Sequence, residues 1–75
     1  MLSKNLSVLA YSNGFTLWHY KSPEVAERVE AEGYFVQVAS ILSAGDVMFV
    51  SFEDGGGRRT VFYNIGDGAR IRRMQ

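Results

Sequence analysis

The chain of 75 residues contains no cysteine, one proline and one histidine. Without thiols there can be no disulfide framework, cysteine zinc site, iron–sulfur cluster or thiol nucleophile. With His19 alone, a multi-histidine metal site would need copies of the same residue from other subunits. A Ser–His catalytic pair would have to use this histidine too, and no nucleophile-elbow sequence surrounds any serine. No catalytic residue, cofactor or metal is expected, and the chain reads as a non-enzyme. No stretch approaches the roughly 18 apolar residues of a membrane span. Met1 to Ser12 lacks the basic, apolar and small-residue order of a secretion signal. A soluble protein made in the cytosol, with no membrane partner, is therefore expected.

What is present is hydrophobic. Apolar residues make up 47% of the chain and charged ones 21%, too greasy a balance for a disordered tail. The length allows one small domain over residues 1–75. Domains this small, without disulfide or metal, often gain burial by self-association, so a homo-oligomer is expected.

The formal net charge of +0 conceals an uneven distribution. Residues 1–20 carry only Lys4. Residues 21–54 carry two cations against seven acids, a balance of −5, and residues 55–75 carry five arginines against Asp67, a balance of +4. The acidic middle and the basic end can attract each other within one subunit or between neighbours.

Leu6 to Tyr11 reads as a strand, Asn13-Gly14 as a tight hairpin turn and Phe15 to Tyr20 as the return strand. Alternation puts Phe15, Leu17 and His19 on one side and Thr16, Trp18 and Tyr20 on the other. Both sides are largely apolar, so this strand should be covered twice, by a helix and by another sheet or subunit. Ser22-Pro23-Glu24 reads as a helix start and Gly33 as its end. Tyr34, Phe35, Val38, Ile41 and Leu42 fit one face of a second short helix, a face that belongs in the core. Ser43-Ala44-Gly45-Asp46 leads into a central strand, Val47 to Phe52. A glycine-rich hairpin loop at 53–58 leads to a strand from Arg59 to Ile65, in which Val61, Tyr63 and Ile65 alternate against Thr60, Phe62 and Asn64; a Gly66-Asp67 turn and a last strand around Ala69 to Met74 complete the chain. The expected fold is α+β, in the order strand-strand-helix-helix-strand-strand-strand. A mainly antiparallel sheet would pack against two short helices.

The candidate sites are aromatic and basic. Trp18, Tyr20, Tyr34 and Phe35 are interface candidates, because large aromatics anchor interfaces as well as cores. Core packing is favoured for Trp18 and Phe35, and a boundary position for Tyr20 and Tyr34. Gly55-Gly56-Gly57 before Arg58-Arg59 invites a phosphate-loop reading, but such loops join a strand to a helix, and this one joins two strands. Arg58, Arg59, Arg70, Arg72 and Arg73 are candidates for contact with nucleic-acid phosphate or an acidic partner. The neutral whole and the lack of an RNA-recognition pattern make nucleic acid the less favoured partner. Protection of an edge strand is the simpler role for these arginines. His19 reads as a half-buried packing residue.

The run Asn13-Gly14-Phe15-Thr16-Leu17-Trp18-His19-Tyr20-Lys21, then Val29-Glu30-Ala31-Glu32-Gly33-Tyr34-Phe35, then Gly45-Asp46-Val47, resembles small proteins encoded by tailed phages and prophages. The resemblance covers residues 13–50; Val36 departs from the polar residue usual after the Gly-Tyr-Phe motif. It implies a virion structural module, a head decoration or fibre component or a tail accessory domain. Such a module would be assembled in the host cytoplasm and would work as an oligomer beside other phage structural proteins. It implies no activity. The alternative is a small phage regulatory protein that binds a host protein or nucleic acid through its basic C-terminal segment.

Overall fold

The computed structural model describes residues 3–54 and 57–74. Asn13 and Gly14 take φ of 50° and 87°, the two left-handed residues that a two-residue hairpin with native strand twist requires. They join strand β1, Leu6–Ser12, to β2, Phe15–Ser22, in an antiparallel pair closed by Ser12 opposite Phe15. An irregularity between Val8 and Ala10 leaves Leu9 as an extra residue on the outer strand. β3, Val47–Asp54, lies parallel to β2, with Leu17 opposite Val47 and Ser22 opposite Phe52. β4, Gly57–Ile65, returns antiparallel to β3, and the short β5, Ile71–Arg73, pairs antiparallel with β4. The five strands form one mixed sheet in chain order. Between β4 and β5 runs a 3-10 turn, Asp67–Ala69.

A parallel neighbour requires the chain to cross from one end of the sheet to the other. Segment 23–46 makes that crossing over one face. It buries Ala26, Val29, Phe35, Val38 and Leu42 against Trp18, Tyr20, Met48, Val50, Phe52, Tyr63 and Ile65 of the strands. This is the core. Its strand residues alternate along β2, β3 and β4, as the pleat dictates.

The expected pair of helices is not present, and the α+β reading is corrected to a sheet-dominated domain. One short helix, α1, spans Ala26–Val29, and the second expected helix is only a 3-10 turn at Val36–Val38. Ser22 explains the first difference. It ends β2, and its hydroxyl accepts from the Glu24 N–H at 2.9 Å and donates to the Glu24 carbonyl at 2.8 Å. The hydroxyl that should cap a helix instead closes a local turn, and the helix starts only after Val25. Around the second segment, β-branched Val36, Val38 and Ile41 favour helix poorly, and the backbone bonds there mostly reach three residues back: Val38 to Phe35, Ala39 to Val36 and Ile41 to Val38. Phe35, Val38 and Leu42 point inward, whereas Ile41, expected in the core, is exposed. The expectation of a mainly antiparallel sheet also overlooked the parallel β2–β3 junction at its centre. Gly55 and Gly56 of the expected glycine loop lie outside the described residues; pairing of β3 with β4 runs to Asp54 opposite Gly57.

Candidate assembly surface

Trp18, Tyr20 and Phe35 lie in the chain's own core, with Tyr20 0% and Phe35 1% exposed. Tyr20 meets Phe35 edge-on at 5.3 Å between ring centroids, and Tyr34 meets Phe35 edge-on at 5.0 Å. Tyr34 is partly buried, and its hydroxyl donates to Glu24, so the Tyr20 hydroxyl 3.0 Å away donates to Tyr34. Burial and these two hydrogen bonds raise the Tyr34 pKa above its ordinary value. All four expected contact aromatics are therefore used up, wholly or mostly, inside one subunit. Tyr34 and Phe35 of the crossing segment are the partners of Tyr20 on the sheet.

Asp46 fixes the position of Trp18. Its Oδ2 accepts from Trp18 Nε1 at 2.9 Å and from the Ser43 N–H at 3.1 Å, and its Oδ1 accepts from the Thr16 N–H at 2.9 Å. The carboxylate is buried, which by itself raises its pKa; the three donors outweigh that and hold it below the ordinary value. This is a structural clasp, joining the start of β2 to the turn that enters β3, and all its donors come from within the chain.

The opposite face of the sheet has no covering segment among the described residues. Phe15, Leu17, His19 and Lys21 of β2, Val47, Phe49 and Ser51 of β3, and Arg58, Thr60, Phe62 and Asn64 of β4 lie in register on that side. Across its middle runs a ladder of rings: His19 packs on Phe49 at 4.9 Å, and Phe49 stacks on Phe62 at 5.2 Å. Phe62 remains 47% and Phe15 42% exposed. His19 Nε2 lies 2.9 Å from Ser51 Oγ, and a small hollow of about 120 Å³ beside them is lined by His19, Lys21, Ser51 and Arg58. No carboxylate is placed to orient the ring among these contacts, and the Ser–His pair reads as packing with a satisfied imidazole.

The arginines divide between the two faces. Arg73 Nε bonds Glu30 at 2.6 Å, and Arg70 bonds Glu32 at 3.2 Å, both on the covered side. Tyr63 also donates to Glu30, at 2.6 Å; burial pushes the Glu30 carboxyl up, but Tyr63, Arg73 and Arg59 together hold it low. Arg59 lies over the Phe52 ring at 5.5 Å. Arg58 and Arg72 lie on the open face, Arg72 opposite Asn64 in register. Part of the acidic middle is thus joined to the basic end within one subunit, and the five arginines do not form a single patch.

A groove of about 710 Å³ follows the 3-10 turn and β5, lined by Asp67, Arg70, Arg72 and neighbouring backbone. It mixes both charge signs. No group of three or more metal-capable side chains occurs among the described residues, and no helix there is long and apolar enough to cross a membrane.

The sequence already contained the signal for the open face. Alternation placed Phe15, Leu17 and His19 together and set Phe62 beside Thr60 and Asn64. Trp18 and Tyr20 lie on the other face, the one that segment 23–46 covers. Comparison with protein-family models, with curated proteins and with solved structures finds no match.

Proposed function

We propose that the chain is a non-enzymatic packing module whose open sheet face is buried against further copies of itself. The observation that carries this reading is the uncovered His19–Phe49–Phe62 ladder, flanked by Phe15, Leu17 and Val47. Strands of seven, eight, eight, nine and three residues, at ~3.3 Å per residue and about 4.8 Å apart, give a face of ~550 Å². Two such surfaces in contact remove ~1,100 Å² from water, which passes the roughly 1,000 Å² that a specific interface needs. Resemblance over residues 13–50 supports placing the module in a tailed-phage particle, as a head decoration or fibre component or a tail accessory domain beside other structural proteins.

The regulatory alternative, contact with a host protein or nucleic acid through the basic end, is weaker. Arg70 and Arg73 already neutralise Glu32 and Glu30. The test is Phe62→Ser, which removes an exposed ring and leaves the core intact. Assembly measured by sedimentation equilibrium should weaken roughly tenfold or more, the equivalent of about 1.4 kcal/mol. Unchanged assembly of a folded Phe62→Ser protein would remove the open face from the interface.

A further inference from the structure

We propose that β1 pairs edge to edge with β1 of a second copy, antiparallel about a two-fold axis, so that two sheets join into one continuous sheet. The contact lies beyond the open-face packing and does not rest on it.

What the edge accepts is set by its backbone. β1 ends the sheet, and among the described residues no other segment pairs with its outer side. An edge strand presents a row of N–H and C=O groups that another strand satisfies along its whole length. Proteins blunt such edges with short strands, charge or proline. β5, at the opposite edge, is blunted in this way, with three residues of which two are arginine. β1 has seven residues, with no charge and no proline. Two copies of β1 therefore meet without like-charge repulsion, whereas β5 offers β1 a ladder of three residues only.

The register of β1 makes it complementary to itself. Val8 lies opposite Trp18 and Tyr11 opposite Thr16, which puts both on the side of the sheet that segment 23–46 crosses. That segment leaves them wet: Val8 is 55% and Tyr11 72% exposed. Simple alternation would turn Val8 and Tyr11 to opposite sides, and the extra residue, Leu9, brings them to the same one. When Val8 of one copy stands opposite Tyr11 of the other, like side meets like side from Ser7 to Ser12, and the two-fold axis produces the Val8–Tyr11 pair twice. Aromatic against β-branched is a favourable cross-strand pair. Leu9 of each copy then sits beside the axis. The bulge, which on a plain edge discourages pairing, here fixes the register. Both open faces lie on the same side of the joined sheet, which doubles the surface offered for packing.

The test starts from the Phe62→Ser chain, whose open face is already damaged, so that the two contacts are read separately. At high micromolar concentration, sedimentation equilibrium should still find a dimer. Val8→Glu and Tyr11→Lys, each added to that chain, should weaken the dimer roughly tenfold or more. Circular dichroism and the fluorescence of Trp18 establish that each is folded. In native mass spectrometry their equimolar mixture should recover a one-to-one heterodimer, because each introduced charge then faces the opposite one and the second Val8–Tyr11 pair is intact. Hydrogen exchange needs no further substitution: the amides of Ser7 to Ser12 should gain protection as the Phe62→Ser chain is concentrated, and those of β5 should not. A dimer indifferent to both introduced charges overturns the edge pairing. A mixture no stronger than its components overturns the Val8–Tyr11 register and the proposal with it. A Phe62→Ser chain that stays monomeric, with no gain in protection, also overturns the edge pairing; a wild type that assembles all the same keeps the packing function, and one that does not loses both.

Discussion

Replacing Asp46 by asparagine should cost this domain a large part of its stability, through a loss that can be counted atom by atom. The carboxylate accepts three N–H donors, from Trp18, Thr16 and Ser43, at 2.9–3.1 Å. An amide has one accepting oxygen, so one side must present N–H2 to an N–H. If the oxygen stays toward Thr16, both Trp18 and Ser43 lose their acceptor; if it turns, Thr16 does. Hydrogen bonds to charged groups contribute ~1.5–3 kcal/mol each, and buried donors left unmade cost about 1–3 kcal/mol. Asp46→Asn should therefore destabilise by about 3 kcal/mol. For a domain of 60–100 residues that is a fall in Tm of roughly 12–24 °C. The assay is urea and thermal unfolding followed by the single tryptophan, which reports from the site itself. The pH dependence provides a separate check. A carboxyl whose folded pKa is depressed contributes stability that is fully present above its unfolded value, near 3.8, and is lost as pH falls through the lower folded value. The wild type should thus lose stability on acidification below about pH 4, and Asp46→Asn should show a shallower acid limb. A variant within about 0.5 kcal/mol of wild type at neutral pH, with the same acid limb, would refute the clasp.

Gly14→Ala should destabilise by about 1 kcal/mol, read as a lower urea midpoint with unchanged slope. No heavy atom lies within 4 Å of the added methyl, so the cost is the φ of 87° alone. Phe52→Ala, which empties a fully buried position in β3, should cost about 3–5 kcal/mol, enough on a domain this size to leave much of the protein unfolded in a thermal scan.

Local chemistry made parts of this fold readable. Asn13-Gly14 names its own turn, and the alternation from Phe15 to Tyr20 and from Val61 to Ile65 assigns side chains to faces without knowledge of the partner strands. The parallel pairing of β2 with β3 was not readable in that way, because it depends on where segment 23–46 travels, and no residue within either strand records the path. Ser22 could either cap a helix or close a turn. Its burial at the end of β2, a tertiary fact, decided for the turn. The candidate surface was legible to the same degree. Two apolar faces were evident, but which one the chain would cover itself depended on that crossover. Trp18 and Tyr20 went inside with Asp46 and Tyr34 as their polar partners, leaving Phe49 and Phe62 to the outside.

If the open face is covered by other copies of the chain, the protein in solution is heavier than one subunit, and its mass is the deciding measurement. Sedimentation equilibrium over a wide concentration range should show mass rising above 8.4 kDa in whole multiples, with the Phe62→Ser protein lagging at every concentration. A folded wild-type chain that stays at 8.4 kDa throughout would contradict it.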